Sequence, residues 1–128
     1  MIVGIGMDIT EIDRIRELLD RPAGERFLKR VLTPAERAAA GKRQHRLAEY
    51  AAGRFAAKES AAKALGTGIG AVVGFQDIEI LQDDKGRPTC RISDEALARA
   101  GLDCEVKVHL TITHTDRTAA ACVVIERL

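Results

Sequence analysis

Seven consecutive apolar residues, Ala119-Ala120-Ala121-Cys122-Val123-Val124-Ile125, constrain this chain more than any other segment. The run has strand length and strand composition, and a strand apolar on both faces must be covered on both faces. A helix layer can cover one side. The other side asks for a second cover, and the rest of the chain has little bulk to offer it: 20 alanines stand against three phenylalanines and one tyrosine. A chain of 128 residues has a limited interior in any case. The economical solution is a neighbouring subunit, so the sequence predicts an oligomer.

Strand patterning continues upstream of this run. Val106, Val108, Leu110 and Ile112 alternate with Lys107, His109, Thr111 and Thr113, a period of two that marks a half-buried strand, and the polar turn Thr115–Thr118 joins it to the apolar run as an antiparallel pair. A second hairpin is predicted from Phe75–Leu81 and Thr89–Ile92 around the turn-forming Asp83-Asp84-Lys85-Gly86-Arg87-Pro88. Between them Ser93, as cap, opens a short helix with acidic residues at its positive end and Gly101 closing it.

The first half reads as helical after one short strand, Ile2–Met7. That strand is expected to break at Asp8, with Thr10-Glu11-Ile12-Asp13 as a capping-box-like helix start. Ile12, Ile15 and Leu18 or Leu19 then recur at helical spacing and leave Arg14 exposed. Thr33, Pro34 and Glu36 form the sharpest helix start in the chain: a cap, a proline at the first helical position and the acid that completes the box. The alanine-rich stretch from about Leu47 to Ala64 has strong helix propensity and ends at Gly66. Helices come early and hairpins late, which gives an α+β class with an antiparallel sheet packed against helices. No linker divides the chain, so residues 1–128 make one domain.

Composition excludes several functions. A net charge of +1, 3% aromatic residues and no tryptophan leave little for base stacking or a broad phosphate-binding face, so nucleic acid is not the expected partner. No apolar stretch approaches the roughly 20 residues that span a bilayer, so no membrane is expected. Cys90, Cys104 and Cys122 are odd in number, lack metal-ligand spacing and follow no secretory leader, the pattern of a reduced cytoplasmic protein. Charge is uneven: Asp20–Tyr50 holds eight basic residues (Arg21, Arg26, Lys29, Arg30, Arg37, Lys42, Arg43, Arg46) and four acidic ones (Asp20, Glu25, Glu36, Glu49). That excess suits an acidic partner, although an ordinary solvated helix surface looks the same.

Two carboxylates carry the chemistry. Asp8 ends Val3-Gly4-Ile5-Gly6-Met7-Asp8, and Glu59 lies in Gly53-Arg54-Phe55-Ala56-Ala57-Lys58-Glu59-Ser60-Ala61-Ala62-Lys63, with Lys63 one helical turn on. Two acids suit a magnesium site, and an acid and a cation spaced i, i+4 can face one bound phosphate. Taken singly, Asp8 reads first as a helix cap, Glu59 with Lys63 as a surface ion pair, and His114 as a satisfied histidine at a strand end; their joint occurrence favours the site. The loop Gly66-Thr67-Gly68-Ile69-Gly70 follows a helix rather than preceding one, so it matches no nucleotide fingerprint; it serves as a C-cap or as backbone that lets a ligand approach closely.

Taken together and in order, these segments resemble the holo-acyl-carrier-protein synthases, the small bacterial 4'-phosphopantetheinyl transferases. Gly4-Ile5-Gly6-Met7-Asp8-Ile9-Thr10-Glu11-Ile12 with Arg14 is similar to the family's opening, and Gly53 through Lys63 with Gly66-Thr67-Gly68 to its central signature. Phe75–Ile80, Gly86-Arg87-Pro88 and Ile112-Thr113-His114-Thr115 complete the order. The resemblance implies the transferase fold and transfer of the phosphopantetheine arm of coenzyme A to a serine of apo acyl carrier protein, releasing adenosine 3',5'-bisphosphate. It implies Mg²⁺ on Asp8 and Glu59, with Lys63 steadying the leaving phosphate. Coenzyme A contacts fall to Arg54, Lys63, Gly66, Gly68, Pro88, His114 and Thr115, the last two supplied across a subunit interface. Arg14 meets the carrier protein, and the assembly is a homotrimer. The alternative is a non-catalytic module that binds a nucleotide or a carrier protein without transferring anything.

Overall fold

The computed structural model describes residues 1–128. Its centre is an antiparallel sheet of β1 (Ile2–Glu11), β5 (Thr118–Arg127) and β4 (Val106–His114), with β5 in the middle. The apolar run thus becomes the central strand, as its composition requires. One face of the sheet is covered by the alanine-rich helix α4 (Leu47–Ala64), against which Ala119, Ala121, Val123 and Ile125 of β5 are buried. Around α4 lie α1 (Ile12–Leu19), α2 (Gly24–Val31) and α3 (Pro34–Gly41), and a separate hairpin of β2 (Ile78–Gln82) and β3 (Pro88–Ile92) followed by α5 (Asp94–Arg99). The class is α+β, as the order of helical and strand signals indicates.

Alanine is what lets α4 sit so close. Ala56, Ala57, Ala61 and Ala62 are fully buried, and where α4 crosses β1 even a methyl group is too large. A Cβ on Gly4 would stand 1.9 Å from the Ala64 carbonyl oxygen, and one on Gly6 would stand 1.9 Å from that of Ser60. Backbone rests on backbone there, with the Ser60 hydroxyl donating to the Ala56 and Ala121 carbonyls.

Several local expectations hold. Thr33 and Glu36 form a complete capping box on α3, with Pro34 in the first turn. Ser93 caps α5, and α4 gives way at Gly66, whose φ of 81° lies in the left-handed region. Others need correction. β1 does not break at Asp8 but pairs with β5 through Glu11↔Thr118, and the Ile12 amide then donates to the Arg117 carbonyl at 2.8 Å. Pairing keeps Thr10 and Glu11 extended, so the helix starts only at Ile12; Glu11 holds the cap position with no side-chain bond, and Thr10 donates to Asp8 instead. Phe75–Asp77 is a turn of 3₁₀ helix, its Asp77 carboxylate accepting from the Gly74 amide, so β2 starts only at Ile78. Helix α2 was not foreseen; Phe27, Leu28 and Val31 gave a short apolar spacing amid charged residues.

The outer face of the main sheet remains uncovered within one chain. Ile5, Met7 and Ile9 of β1 are 64%, 58% and 67% exposed, and they pair with Val124, Cys122 and Ala120 of the central strand. An apolar sheet face of this kind is unusual on a protein that works as a monomer.

Candidate active site

Asp8, Glu59 and Lys63 converge because two glycines let a helix lie on a strand. With Gly4 and Gly6 seated against Ala64 and Ser60, the next inward-facing residue of β1 is Asp8, beside the exposed edge of the last turns of α4. The Lys63 ammonium donates to Asp8 Oδ1 and to the Met7 carbonyl, both at 3.0 Å, and Thr10 Oγ1 donates to Asp8 Oδ2 at 3.3 Å. No protein donor engages Glu59. Partial burial, and after it the negative charge of Asp8, hold the Glu59 carboxyl above its ordinary range, while Lys63 pulls it back.

These residues open onto a cleft of about 800 Å³. Asp8 to Glu11 form its floor, Arg14, Glu17 and Leu18 of α1 with Arg21 just beyond it one wall, and Phe27 and Phe55 an apolar end. Arg14 is exposed, as its place on α1 predicts. No group of three or more His, Cys, Asp and Glu side chains gathers anywhere in the chain. The acid pair offers hard oxygens with most positions around a cation left open, which suits Mg²⁺, an ion that keeps waters and takes phosphate oxygens.

Arg54 and His114 do not line this cleft. They line a neighbouring pocket with Arg43, Arg46, Glu49 and Tyr50. The Arg54 guanidinium lies 4.3 Å from the Tyr50 ring centroid, and its buried Nε has no hydrogen-bond partner. A buried donor without a partner, with Arg43 and Arg46 beside it, is suited to an anion. Sequence reasoning singled out Arg54 and His114 but missed Tyr50 and Arg43, whose contribution depends on α4 turning its early residues toward α3. Gly66 and Gly68 form the exit of α4 with φ of 81° and 66°, and Pro88 opens β3. Thr115 shapes the β4–β5 turn, its hydroxyl accepting from the Arg117 and Thr118 amides. None of these four lines either cavity within a single chain.

Lys58, next to Glu59 in the chain, has a different role. It is fully buried and places its ammonium 2.6 Å from Glu36 Oε1, 2.7 Å from the Val31 carbonyl and 3.0 Å from that of Phe75. Glu36 also accepts the Thr33 and Ile80 amides, so the pair joins α2, α3, α4 and β2. Burial pushes the Cys90 thiol up to about 12, which removes it as a nucleophile at neutral pH.

The family model for the 4'-phosphopantetheinyl transferase superfamily matches residues 4–122. The chain belongs to this superfamily. It is 53% identical over 129 residues to a holo-[acyl-carrier-protein] synthase of Geobacillus kaustophilus, covering all of this chain and 92% of that one. Among solved structures, a holo-(acyl-carrier-protein) synthase of Bacillus anthracis in complex with CoA (3',5'-ADP) superposes with a TM-score of 0.85 at 46% identity, over 100% of this chain and 99% of the other. The Neisseria meningitidis synthase superposes with a TM-score of 0.86 at 37% identity, covering 99% and 100%. Superfamily membership makes the chain a transferase and assigns its α+β fold to that of these synthases.

Proposed function

We infer that this chain transfers the 4'-phosphopantetheine arm of coenzyme A to a serine hydroxyl of apo acyl carrier protein, leaving adenosine 3',5'-bisphosphate. The observation that carries the reading is the convergence of Asp8, Glu59 and Lys63 on one open cleft, in a chain whose relatives across their full length are holo-acyl-carrier-protein synthases. In the reaction the serine oxygen attacks the β-phosphorus, the bond from that phosphorus to the bridging oxygen of the bisphosphate breaks, and the hydroxyl proton departs. Charge grows on the leaving phosphate, and catalysis is mainly a matter of neutralising and positioning it.

Asp8 and Glu59 would hold Mg²⁺, which when bound neutralises pyrophosphate oxygens. The Lys63 ammonium lies 3.0 Å from Asp8 with its side chain half exposed, so it is available to steady the charge that grows on the leaving phosphate. Arg54, with its unpaired Nε, and His114 are suited to the anionic end of coenzyme A, while Gly66 and Gly68 give close backbone access beside Lys63. Pro88 and Thr115 complete the proposed contacts. Within one chain the Arg54–His114 pocket and the Asp8–Glu59 cleft are separate, so a single coenzyme A would draw on two copies.

The uncovered face of Ile5, Met7 and Ile9 supports that arrangement, and a homotrimer closed through this face is the proposed assembly. Sedimentation of the purified chain as a monomer would overturn it. Arg14 and Arg21, on the wall of the cleft, would steer the acidic carrier in a salt-dependent way. No helix is long and apolar enough to cross a membrane, and the three free cysteines agree with the proposed cytoplasmic location.

Incubation with apo carrier protein, coenzyme A and Mg²⁺ should add a phosphopantetheine mass to the carrier, and chelation of the metal should stop it. Absence of the mass gain, where a known synthase produces one, would end the proposal.

A further inference from the structure

Helix α2 stops in an unusual way, and the manner of its stopping points to a residue outside the cleft. Four carbonyls at the end of a helix lack intrahelical partners, and many helices turn back through a left-handed residue to cover some of them. Here Leu32 is extended, with φ −102° and ψ 138°, because Thr33 follows at once as the N-cap of α3 and is itself held extended before Pro34, so the chain leaves α2 without a turn. The chain cannot cover its own helix end, so side chains from elsewhere do so.

Three side chains share the work. Lys58 takes the Val31 carbonyl at 2.7 Å, and Arg37 takes that of Leu32 at 2.7 Å. Gln76 takes three: its Nε2 lies 3.0 Å from the Lys29 carbonyl, 3.0 Å from that of Arg30 and 2.9 Å from that of Leu32. Of the two ends of the amide only the NH₂ can face carbonyl oxygens, its two protons shared among the three, which also fixes the orientation of the amide. At its other end α2 is pressed onto α1: a Cβ on Gly24 would stand 2.7 Å from the Leu19 carbonyl oxygen and 2.8 Å from the Leu19 Cα. Position passes along backbone from Gln76 to α2 and from α2 to the last turn of α1, which presents Leu18 to the cleft, with Arg21 just beyond it. Phe27 of α2 lines the cleft directly and lies 6.0 Å, centroid to centroid, from Phe55.

We propose that Gln76 is a positioning residue for acceptor recognition: by holding the carboxyl end of α2 it sets the α1–α2 wall on which the carrier protein docks. It touches neither the acid pair nor the Arg54 pocket, and the wall it sets borders the cleft that also holds the acid pair, so its effect on the carrier is expected to exceed its effect on coenzyme A. The proposal rests on the transferase reading given above.

The test is steady-state kinetics on the full-length protein with apo carrier protein and coenzyme A varied in turn. Gln76→Ala is expected to raise the KM for the carrier about fivefold, the equivalent of roughly one net hydrogen bond, with kcat and the KM for coenzyme A within about twofold of wild type. Gln76→Lys, which keeps a donor on the negative helix end, is expected to restore most of the carrier affinity, and Gln76→Glu to fall below alanine. A carrier KM unchanged in Gln76→Ala overturns the proposal. So does a drop in kcat alone, or equal loss in the alanine, lysine and glutamate variants, since either marks a fold damaged without selectivity. Failure of the transferase reading is seen separately, as no transfer by the wild-type protein, and removes this proposal with it.

Discussion

Helix α4 carries two lysine–acid pairs five residues apart, and they differ in every respect that separates structure from chemistry. Lys58 and Glu36 are both fully buried, and every ammonium proton of Lys58 has an acceptor on the protein. Nothing is left over for a ligand. Lys63 and Asp8 meet at 3.0 Å with the lysine half exposed, and Glu59 beside them is engaged by no donor at all. One pair is closed and holds four elements together; the other is open, and its unused valences are what a cation and a phosphate require. Charge and residue type are alike in the two, so the difference lies in what surrounds them.

The comparison can be broken in four places. The largest effect is expected at the closed pair. Lys58→Met leaves Glu36 without its cation and should cost about 3–5 kcal/mol in denaturant unfolding, whereas Lys63→Met should cost under about 1 kcal/mol. Similar losses at the two sites would mean that burial does not set their worth. Next, Glu59→Gln should lower transfer to the carrier by about 10²–10³-fold while the protein stays folded by circular dichroism. An active variant would remove Glu59 from the machinery.

Gly6→Ala is expected to cost about 1–3 kcal/mol, because the new methyl meets the Ser60 carbonyl and α4 must lift. Transfer should fall with it, as Glu59 moves away from Asp8; full activity in a destabilised variant would show that the glycine contact does not position the pair.

The smallest effect concerns pH. Glu59 has a folded pKa raised first by burial and then by Asp8, so the native state holds that proton more tightly than the unfolded chain does, and stability falls as pH rises across the interval up to the raised value. Glutamine has no proton to lose. In the metal-free protein the melting temperature of Glu59→Gln should therefore gain on wild type as pH rises from below to above the carboxylate range. A gap that stays constant across that range would contradict the raised pKa.

Local patterns were legible where local physics decides them. The Thr33-Pro34-Glu36 box, the alternation of β4 and the apolar run of β5 each contain their own explanation. Asp8, Glu59 and Lys63 were legible through their motifs and do gather in one cleft. What could not be read depends on partners distant in the chain. Glu36 was recognised only as a cap, because its bond to Lys58 spans 22 residues and needs α3 folded onto α4. The expected capping box at Thr10 failed for the same kind of reason: pairing with β5, more than a hundred residues away, keeps the chain extended through Glu11 and moves the helix start past the local motif. Tyr50 and Arg43 joined Arg54 through the same packing of α3 on α4.

The contact of Gly4 and Gly6 with the carbonyls of α4 has a consequence for how such a protein can vary. The spacing of Asp8 and Glu59 is set by main-chain atoms touching main-chain atoms, whereas most interiors rely on interlocking side chains whose volumes must match. Core residues away from the alanine face of α4 can therefore change in size, within the limits that close packing sets, without altering the gap between Asp8 and Glu59.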